Sequence, residues 1–401
     1  MPIERTPATR AVPPPAAPPT ERGARGARPT SGARGIRSLA IGAIVASATM
    51  AVIGIAWLLL PELDPFASGV LSSLATALFG PHAAAALAAA LGLGGVLLGI
   101  AVARTARPLH NAAPIAVGGL VIAVGLAFGF GSFAVIAFAG YLFGLAAVIA
   151  GAATVVVLLF RRPRLGVPLL AALLALLAAA VWLAGLTLEG VVEFAREFGD
   201  TLVGTMGDLA VSALAVATTV LWVAVAFRVL HGTPALRRVE GWLVRHRRML
   251  AVLAALGPVP YLLARLTWLT PWPQFGPDAE AMEPAVLATG LMLGAGAAAA
   301  SLLTLGLILP WGRVFPTWIP RVGGRPVPVP AGTIPGFAAA GVLCVAAGPL
   351  LAMAFADGSF AEAMTLALVL PLWFWGPMLA LAVSAYRAWR IDDDRAAASA
   401  R

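Results

Sequence analysis

The sequence predicts an all-α fold, a polytopic bundle in which about ten helices cross a membrane. Hydrophobic residues make up 60% of the 401 positions and charged residues only 11%, whereas a soluble domain carries roughly 25% charged residues. The mean hydropathy is +0.93. So few charges cannot cover a water-facing surface, and lipid must therefore contact much of the exterior. The arginines lie almost entirely in short segments between the apolar stretches, as expected for membrane loops.

Ten apolar segments are long enough to cross the hydrocarbon of a bilayer, which requires about 20 residues per helix. One apolar stretch, 113–160, would be about 70 Å long as a single helix, so the sequence predicts that the chain reverses within it, at Gly129-Phe130-Gly131-Ser132. The predicted spans are 39–60, 83–103, 114–131, 136–160, 165–186, 209–229, 249–269, 284–309, 334–354 and 363–384.

The distribution of arginine predicts the orientation of these spans. The chain has no lysine, and of its 27 arginines only Arg196 and Arg265 fall on the side opposite the N-terminus. Cytoplasmic loops are enriched in Arg and Lys, so both termini are predicted to be cytoplasmic. Arginine without lysine, together with many alanines, is typical of a high-GC bacterium, which places the chain in a bacterial plasma membrane. The net charge of +9 then needs no nucleic-acid partner, because the arginines form no single basic face.

The two ends of the chain differ from the apolar bundle, which is predicted to occupy 39–386. Residues 1–38 are rich in Pro, Ala, Arg and Gly and are predicted to form a disordered cytoplasmic tail, because this composition cannot bury a core. Residues 387–401 are predicted to form a second cytoplasmic tail. The one cysteine, Cys344, lies in an apolar segment, so no intrachain disulfide is predicted.

The seventh predicted span contains the best candidate for a binding site. Pro258 and Pro260 lie near its middle, where two missing backbone donors leave carbonyls one turn earlier without partners. Such interruptions mark substrate sites in transporters, although an ordinary proline kink is the more frequent cause. Arg265 lies deeper than any other charge, and its alternative interpretation is an arginine that extends to the outer headgroups. With Tyr261, these residues form the predicted substrate site.

Two acids follow the first span, in the segment PELDPF. Glu62 and Asp64 resemble the acidic pair of multi-span glycosyltransferases that use lipid-linked sugars, whose catalytic acid lies in the first outer loop. The resemblance implies Glu62 or Asp64 as a base or metal ligand. The loop here is shorter than that family's, and a solvated pair at a helix end explains the same residues.

One inner loop is predicted to form a helix that lies on the membrane surface. Segment 234–250 alternates apolar residues with arginines at helical spacing, as in amphipathic helices that bind anionic headgroups of the inner leaflet. The residues predicted to contact these lipids are Arg237, Arg238, Trp242, Arg245 and Arg248.

Motifs of soluble enzymes and metal sites are missing from the sequence. It contains no HExxH, Walker A or GxSxG motif, and its four histidines are isolated. The sequence therefore predicts no metal site and no cofactor, and a function without catalysis is favoured.

A further resemblance concerns the C-terminal half. The segments RLTWLTPWP and WGRVFPTWIPRVGGRPVP resemble a group of multi-span membrane proteins from high-GC actinobacteria. The resemblance implies a multi-span fold and carries no activity.

Three hypotheses for function follow from these observations. The first is a transporter or permease for a small molecule or a lipid, with its site in the seventh span; deep acids for proton coupling are lacking, which favours uncoupled or lipid-handling versions. The second is a membrane glycosyltransferase that uses Glu62 or Asp64. The third is a scaffold or accessory subunit whose helices only pack, and a bundle without a cavity at Pro258–Arg265 would favour it.

Overall fold

In the computed structural model the chain folds into fourteen α-helices over the residues that the structure describes. These residues are 31–66, 73–104, 112–182, 187–277, 282–319, 322–356 and 360–399. Residues 1–30, which make up most of the predicted N-terminal tail, lie outside them. The helices are α1 (Ser31–Leu59), α2 (Leu74–Phe79), α3 (Pro81–Arg104), α4 (Ala112–Gly129), α5 (Phe133–Arg161), α6 (Pro163–Trp182), α7 (Leu188–Gly204), α8 (Met206–Leu230), α9 (Pro234–Leu256), α10 (Val259–Leu266), α11 (Pro284–Leu305), α12 (Val329–Ala356), α13 (Phe360–Val369) and α14 (Leu372–Ser399).

The all-α, multi-pass membrane fold is confirmed. Within the described ranges, eight helical segments are long and apolar enough to cross a membrane. Two shorter apolar helices, Ala113–Gly129 and Pro163–Ala179, occupy the positions of the third and fifth predicted spans. The eight segments are Gly35–Leu59, Pro81–Arg104, Ala134–Arg161, Met206–Leu230, Pro234–Leu269, Pro284–Leu305, Val329–Leu350 and Met364–Asp393.

Several predicted boundaries are wrong. Helix α1 begins at Ser31, eight residues inside the predicted tail, because the Ala, Arg and Leu residues of SGARGIRSLA favour a helix and the two Gly only weaken it. The amphipathic segment 234–250 is not a separate surface helix, since it continues without a break into the seventh span as α9. The tenth predicted span is present as Met364–Asp393, with a local break in its helix at Pro371, which lacks the N–H that a continuous helix would use.

The most extensive helix contact joins α1 to α3. A methyl group on Gly92 would lie 2.5 Å from the backbone nitrogen of Ala51, so the two backbones touch at this crossing. Where neither helix gains from leaving water, such close packing supplies the dispersion energy that holds helices together in lipid. Trp222 of α8 is fully buried against the same pair, and its Nε1 donates a hydrogen bond to the Ser47 hydroxyl at 3.0 Å.

A second buried cluster joins α9, α12 and α14. Its centre contains Leu250, Ala346 and Val383, all nearly inaccessible. Helix α11 packs against α5, α7, α9 and α10, and a methyl group on Gly144 would lie 2.5 Å from the Met292 carbonyl oxygen. Helix α10, which carries the candidate site, packs mainly against α11.

Candidate functional site

The predicted kink in the seventh span lies between α9 and α10. Helix α9 ends at Leu256, and Gly257 and Pro258 keep helical dihedral angles before α10 begins at Val259. Pro260 lies at the second position of α10, where a missing N–H costs little because the first amides of a helix have no partner within it. The prolines thus divide one long crossing into two helices without reversing the chain.

Protein groups fill this kink. The Trp375 ring packs against Gly257, where a methyl group would lie 2.5 Å from Cγ of the indole. The Ala254 carbonyl accepts the Gly257 N–H at 3.2 Å, and the Ala255 carbonyl accepts the Ser301 hydroxyl at 3.0 Å. Backbone groups freed by a proline are commonly satisfied by neighbouring helices in this way, and the binding of a substrate at the kink stays a prediction.

Arg265 lies in α10, beyond the kink, and its guanidinium group is surrounded by aromatic rings. Its Cζ is 4.7 Å from the Tyr261 ring centroid and 4.0 Å from the Trp268 ring centroid, distances at which a cation is attracted to an aromatic face. Its Nη1 donates to the Phe275 carbonyl at 3.3 Å. Nε is buried without a hydrogen-bond partner among the described residues. The guanidinium group therefore keeps donor capacity that its described neighbours do not use.

The chain beyond α10 folds back to form a cap over this arginine. Trp268 Nε1 donates to the Gln274 carbonyl at 2.9 Å, and the Gln274 N–H donates to the Thr267 hydroxyl at 2.8 Å. Phe275 has a φ of 56°, a left-handed conformation that is strained for a bulky side chain. This conformation accompanies the contact between the Phe275 carbonyl and Arg265, and strain of this kind is concentrated at binding sites.

Two glycines make room for the Trp268 ring. A methyl group on Gly276 or on Gly290 would collide with the indole, so the buried ring is held between the cap and α11. A methyl group on Gly294, one turn along α11, would lie 3.1 Å from Cβ of Arg265. The small residues of α11 thereby fix both Trp268 and Arg265 in place.

Helices α5 and α7 add aromatic residues to the same region. Tyr141 of α5 interacts electrostatically with Tyr261 and Arg265. Its ring also contacts Phe194 and Phe198 of α7 at centroid distances of 5.6 and 5.1 Å. The site thus combines one cation, two phenol groups and several apolar rings.

A shallow apolar depression opens beside the cap. It has a volume of 290 Å³ and is lined by Phe275, Ala361, Thr365 and Leu366. A second depression, of 390 Å³, lies along α7 and is lined by Leu188, Glu189, Val192, Glu193 and Arg196. Neither reaches Pro258 or Pro260, and only the first adjoins the Arg265 cap.

The two acids of the first outer loop lie in different surroundings. Glu62 is exposed in the short 3₁₀ turn Pro61–Leu63. Asp64 is only 5% exposed, and its Oδ1 accepts the Phe66 N–H at 3.0 Å. No hydrogen bond or ion pair joins either acid to Arg265. The role of these acids in a glycosyltransferase site stays a prediction.

The burial of Asp64 predicts a pH dependence of stability. Burial raises the pKa of this carboxyl group, and the hydrogen bond from Phe66 opposes the shift in part. Because the folded pKa exceeds the unfolded one, Asp64 favours the folded state at low pH and loses this contribution as the pH rises through the folded pKa. We expect Asp64→Asn, whose amide oxygen can still accept the Phe66 N–H, to raise the melting temperature in detergent at neutral pH and to flatten its dependence on acid pH.

The matched control for Asp64 is Glu62→Gln, which removes the same charge from an exposed position. We expect this variant to keep the wild-type pH profile. A profile for Asp64→Asn that parallels the wild type would contradict the assignment of the effect to Asp64.

The five residues predicted to contact lipid are all exposed on α9. Arg237, Arg238, Trp242, Arg245 and Arg248 lie opposite the buried Leu236, Leu243 and Leu250. Trp242 stacks on the His246 ring at a centroid distance of 4.6 Å. This arrangement is compatible with a basic face directed towards headgroups, and the contact with lipid stays a prediction.

Several residues of the site were not predicted from the sequence. Phe275, Gly276 and Gln274 complete the Arg265 cap, and Trp375 closes the kink. Glycine and proline in PWPQFGP indicated a turn, which is the one signal that could have located the cap. In the described part of the chain, no group of three or more His, Cys, Asp or Glu side chains could hold a metal.

Comparison with known proteins identifies no relative of this chain. No family model, no curated protein and no solved structure matches the chain. The resemblances noted in the sequence therefore stay predictions, and the function is argued from the Arg265 site alone.

Proposed function

We propose that this chain is a permease-like membrane protein that handles an anionic amphiphile, with Arg265 as the residue that binds its phosphate. The observation that carries the proposal is the state of the guanidinium group. Aromatic rings and one carbonyl hold it, and none of the described acids pairs with it. An arginine in such surroundings favours an anionic ligand, because its planar fork matches phosphate oxygens.

The apolar depression supports an amphiphile rather than a free anion. It adjoins Phe275, whose carbonyl contacts Arg265. An acyl chain along the depression would bring a headgroup close to the guanidinium group. Ligand sites commonly combine an apolar wall with a few polar groups that fix orientation.

The proposal includes the topology that the arginines predict. Ten spans in a bacterial plasma membrane, with both termini in the cytoplasm, would place Arg265 near the outer leaflet. The two short apolar helices, Ala113–Gly129 and Pro163–Ala179, would complete the ten. Each has 17 residues, which cover about 26 Å as a helix, so both are close to the length that a bilayer crossing needs.

The role of Arg265 can be tested by following lipid movement in vesicles. Purified protein would be reconstituted into phosphatidylcholine vesicles that contain a trace of fluorescent phosphatidylglycerol, and the fraction accessible to dithionite would be followed over time. We expect the wild type to exceed protein-free vesicles, and Arg265→Gln to reduce the protein-dependent rate about tenfold, the effect of losing one charge-assisted hydrogen bond.

Arg196→Gln is the matched control for Arg265. Arg196 is the other arginine on that side and is exposed on α7, so this variant makes the same change of charge away from the cap. We expect it to transport like the wild type. Equal rates for Arg265→Gln and the wild type would refute the site, and folded wild-type protein that moves no lipid would refute transport.

A second candidate function is that of an accessory subunit whose helices only pack. The filling of the kink by Trp375 and Ser301 favours it, because a transporter that works through a broken helix needs a cavity there. It predicts that wild-type protein produces no lipid movement in the vesicle experiment.

A further inference from the structure

A second arginine, about 18 residues before Arg265 in the other half of the same crossing, stacks on a tryptophan. Cζ of Arg247 in α9 lies 3.8 Å from the ring centroid of Trp389 in α14. Arg313, from the loop between α11 and α12, lies over the same ring at 4.8 Å. Two guanidinium groups from separate elements therefore meet at one indole. We refer to Arg247, Arg313 and Trp389 as the indole clamp.

The two arginines of the clamp differ in how their donors are used. Arg313 forms an ion pair with Asp393. Arg247 Nη1 is buried and has no hydrogen-bond acceptor among the described residues. A buried guanidinium N–H without an acceptor is costly, and an oxygen supplied by a ligand would remove this cost.

The neighbouring Arg390 differs from Arg247, because its guanidinium group donates hydrogen bonds to protein acceptors. It is buried, and it donates to the Val327 carbonyl at 2.9 Å and to the Tyr386 hydroxyl at 2.7 Å. Arg390 thus has a structural role that is complete without a ligand. Arg247 Nη1 has no equivalent acceptor among the described residues.

The charges around the clamp favour an anion. Arg248 and Arg313 are the cations that act most strongly on Arg247, and Asp393 is the acid that opposes them. Asp393 is already paired with Arg313. Arg248 and Arg313 therefore leave the surroundings of Arg247 positively charged, because Asp393 is shared with Arg313. An anionic ligand would bring the clamp closer to neutrality.

The position of Arg247 along the helix points to the membrane surface as the source of that anion. Eighteen residues separate it from Arg265, which is about 27 Å along a helix and close to the roughly 30 Å thickness of bilayer hydrocarbon. The two arginines therefore fit opposite interfaces. Between them, Met249, Val252 and Leu256 are exposed apolar residues on α9, suited to contact acyl chains.

We propose that Arg247 and Arg313, held against Trp389, bind the phosphate of an anionic phospholipid in the leaflet at this end of the bundle. The binding site is separate from the Arg265 site, and its existence does not depend on lipid transport. The phosphate accepts hydrogen bonds from Arg247 while the exposed apolar side chains of α9 contact the lipid tails.

The proposal can be tested by native mass spectrometry of the full-length protein in detergent. Phosphatidylglycerol and, separately, phosphatidylcholine would be added, and bound lipid would be counted at each concentration. We expect the wild type to retain phosphatidylglycerol in preference, and Arg247→Gln to bind it about tenfold more weakly. Arg387→Gln removes the same charge from an exposed position on α14 and is expected to change binding little.

Several results would overturn the proposal, each for a different reason. Equal retention of both lipids, or equal weakening by Arg247→Gln and Arg387→Gln, would show that charge alone attracts lipid to this face. Inorganic phosphate that displaces phosphatidylglycerol at equal concentration would show a soluble phosphate as the ligand. If Arg247→Gln does not fold, Arg313→Gln carries the same test from the loop. Wild-type binding in the Arg265→Gln variant separates this result from the transport experiment.

Discussion

Gly92→Val is expected to prevent the recovery of folded, monodisperse protein. A methyl group at Gly92 would already lie 2.5 Å from the Ala51 nitrogen and 2.7 Å from the Ser47 carbonyl oxygen. These are backbone atoms, so no side-chain rotation can make room, and α1 would have to move away from α3. Overpacking a rigid contact costs about 3 kcal/mol, and the loss extends to the dispersion contacts of the whole crossing. The measurement is the yield and the melting temperature in detergent by size-exclusion chromatography.

The control for this prediction lies two residues away on the same helix. Gly94 has no neighbour within 4 Å of an added methyl group, so Gly94→Val makes the same change of propensity without a collision. We expect it to be recovered like the wild type. A similar loss for both variants would attribute the effect to valine in α3 and not to the crossing.

The sequence predicts that small residues bring helices close together, but it does not predict the point at which two helix backbones come closest. Gly95 and Gly99 are spaced as a Gly-xxx-Gly pair, a pattern that predicts close helix packing, and both lie against α1. The tightest backbone contacts between α1 and α3 involve Gly92 and Gly54, which belong to no such pair. Spacing within one helix shows where small residues line up, whereas the crossing point depends on the partner helix.

For a similar reason, only part of the candidate site was predicted from the sequence. Arg265 and Tyr261 stand out locally, because a charge deep in an apolar span is unusual. The cap depends on the left-handed conformation of Phe275 and on Trp268 entering the space at Gly290, which no local pattern specifies. Trp375, which closes the kink, is distant in sequence from Gly257.

The predicted helix boundaries differ from the observed ones where the composition changes but no helix-breaking residue is present. The basic segment and the apolar segment of α9 differ in polarity, yet nothing in the chain ends the helix before Gly257. A helix can pass from headgroups into hydrocarbon without interruption, so polarity marks the membrane surface and not the helix end. Pro371 did supply a local signal for the break between α13 and α14.

Arg390→Leu is expected to destabilise the end of the bundle at which α14 emerges. Arg390 is 7% exposed and donates to the carbonyls of Val327 and Gly312 and to the Tyr386 hydroxyl. It thereby ties α14 to the loop that precedes α12. Leucine keeps apolar volume but leaves the Val327 carbonyl without its donor, and the loss of hydrogen bonds from a charged group costs about 3 kcal/mol.

The matched control is Arg387→Leu, which removes an exposed arginine one turn earlier on α14. We expect Arg390→Leu to lower the melting temperature in detergent by several degrees and to expose the loop 306–328 to protease, while Arg387→Leu does neither. Tyr386→Phe separates the contributions, because it removes the hydroxyl that donates to Gly312 at 2.9 Å and leaves the bond from Arg390 to Val327 in place. If Arg390→Leu melts with the wild type, α14 is held by its apolar contacts with α9 and α12, and the buried guanidinium group contributes no net stability.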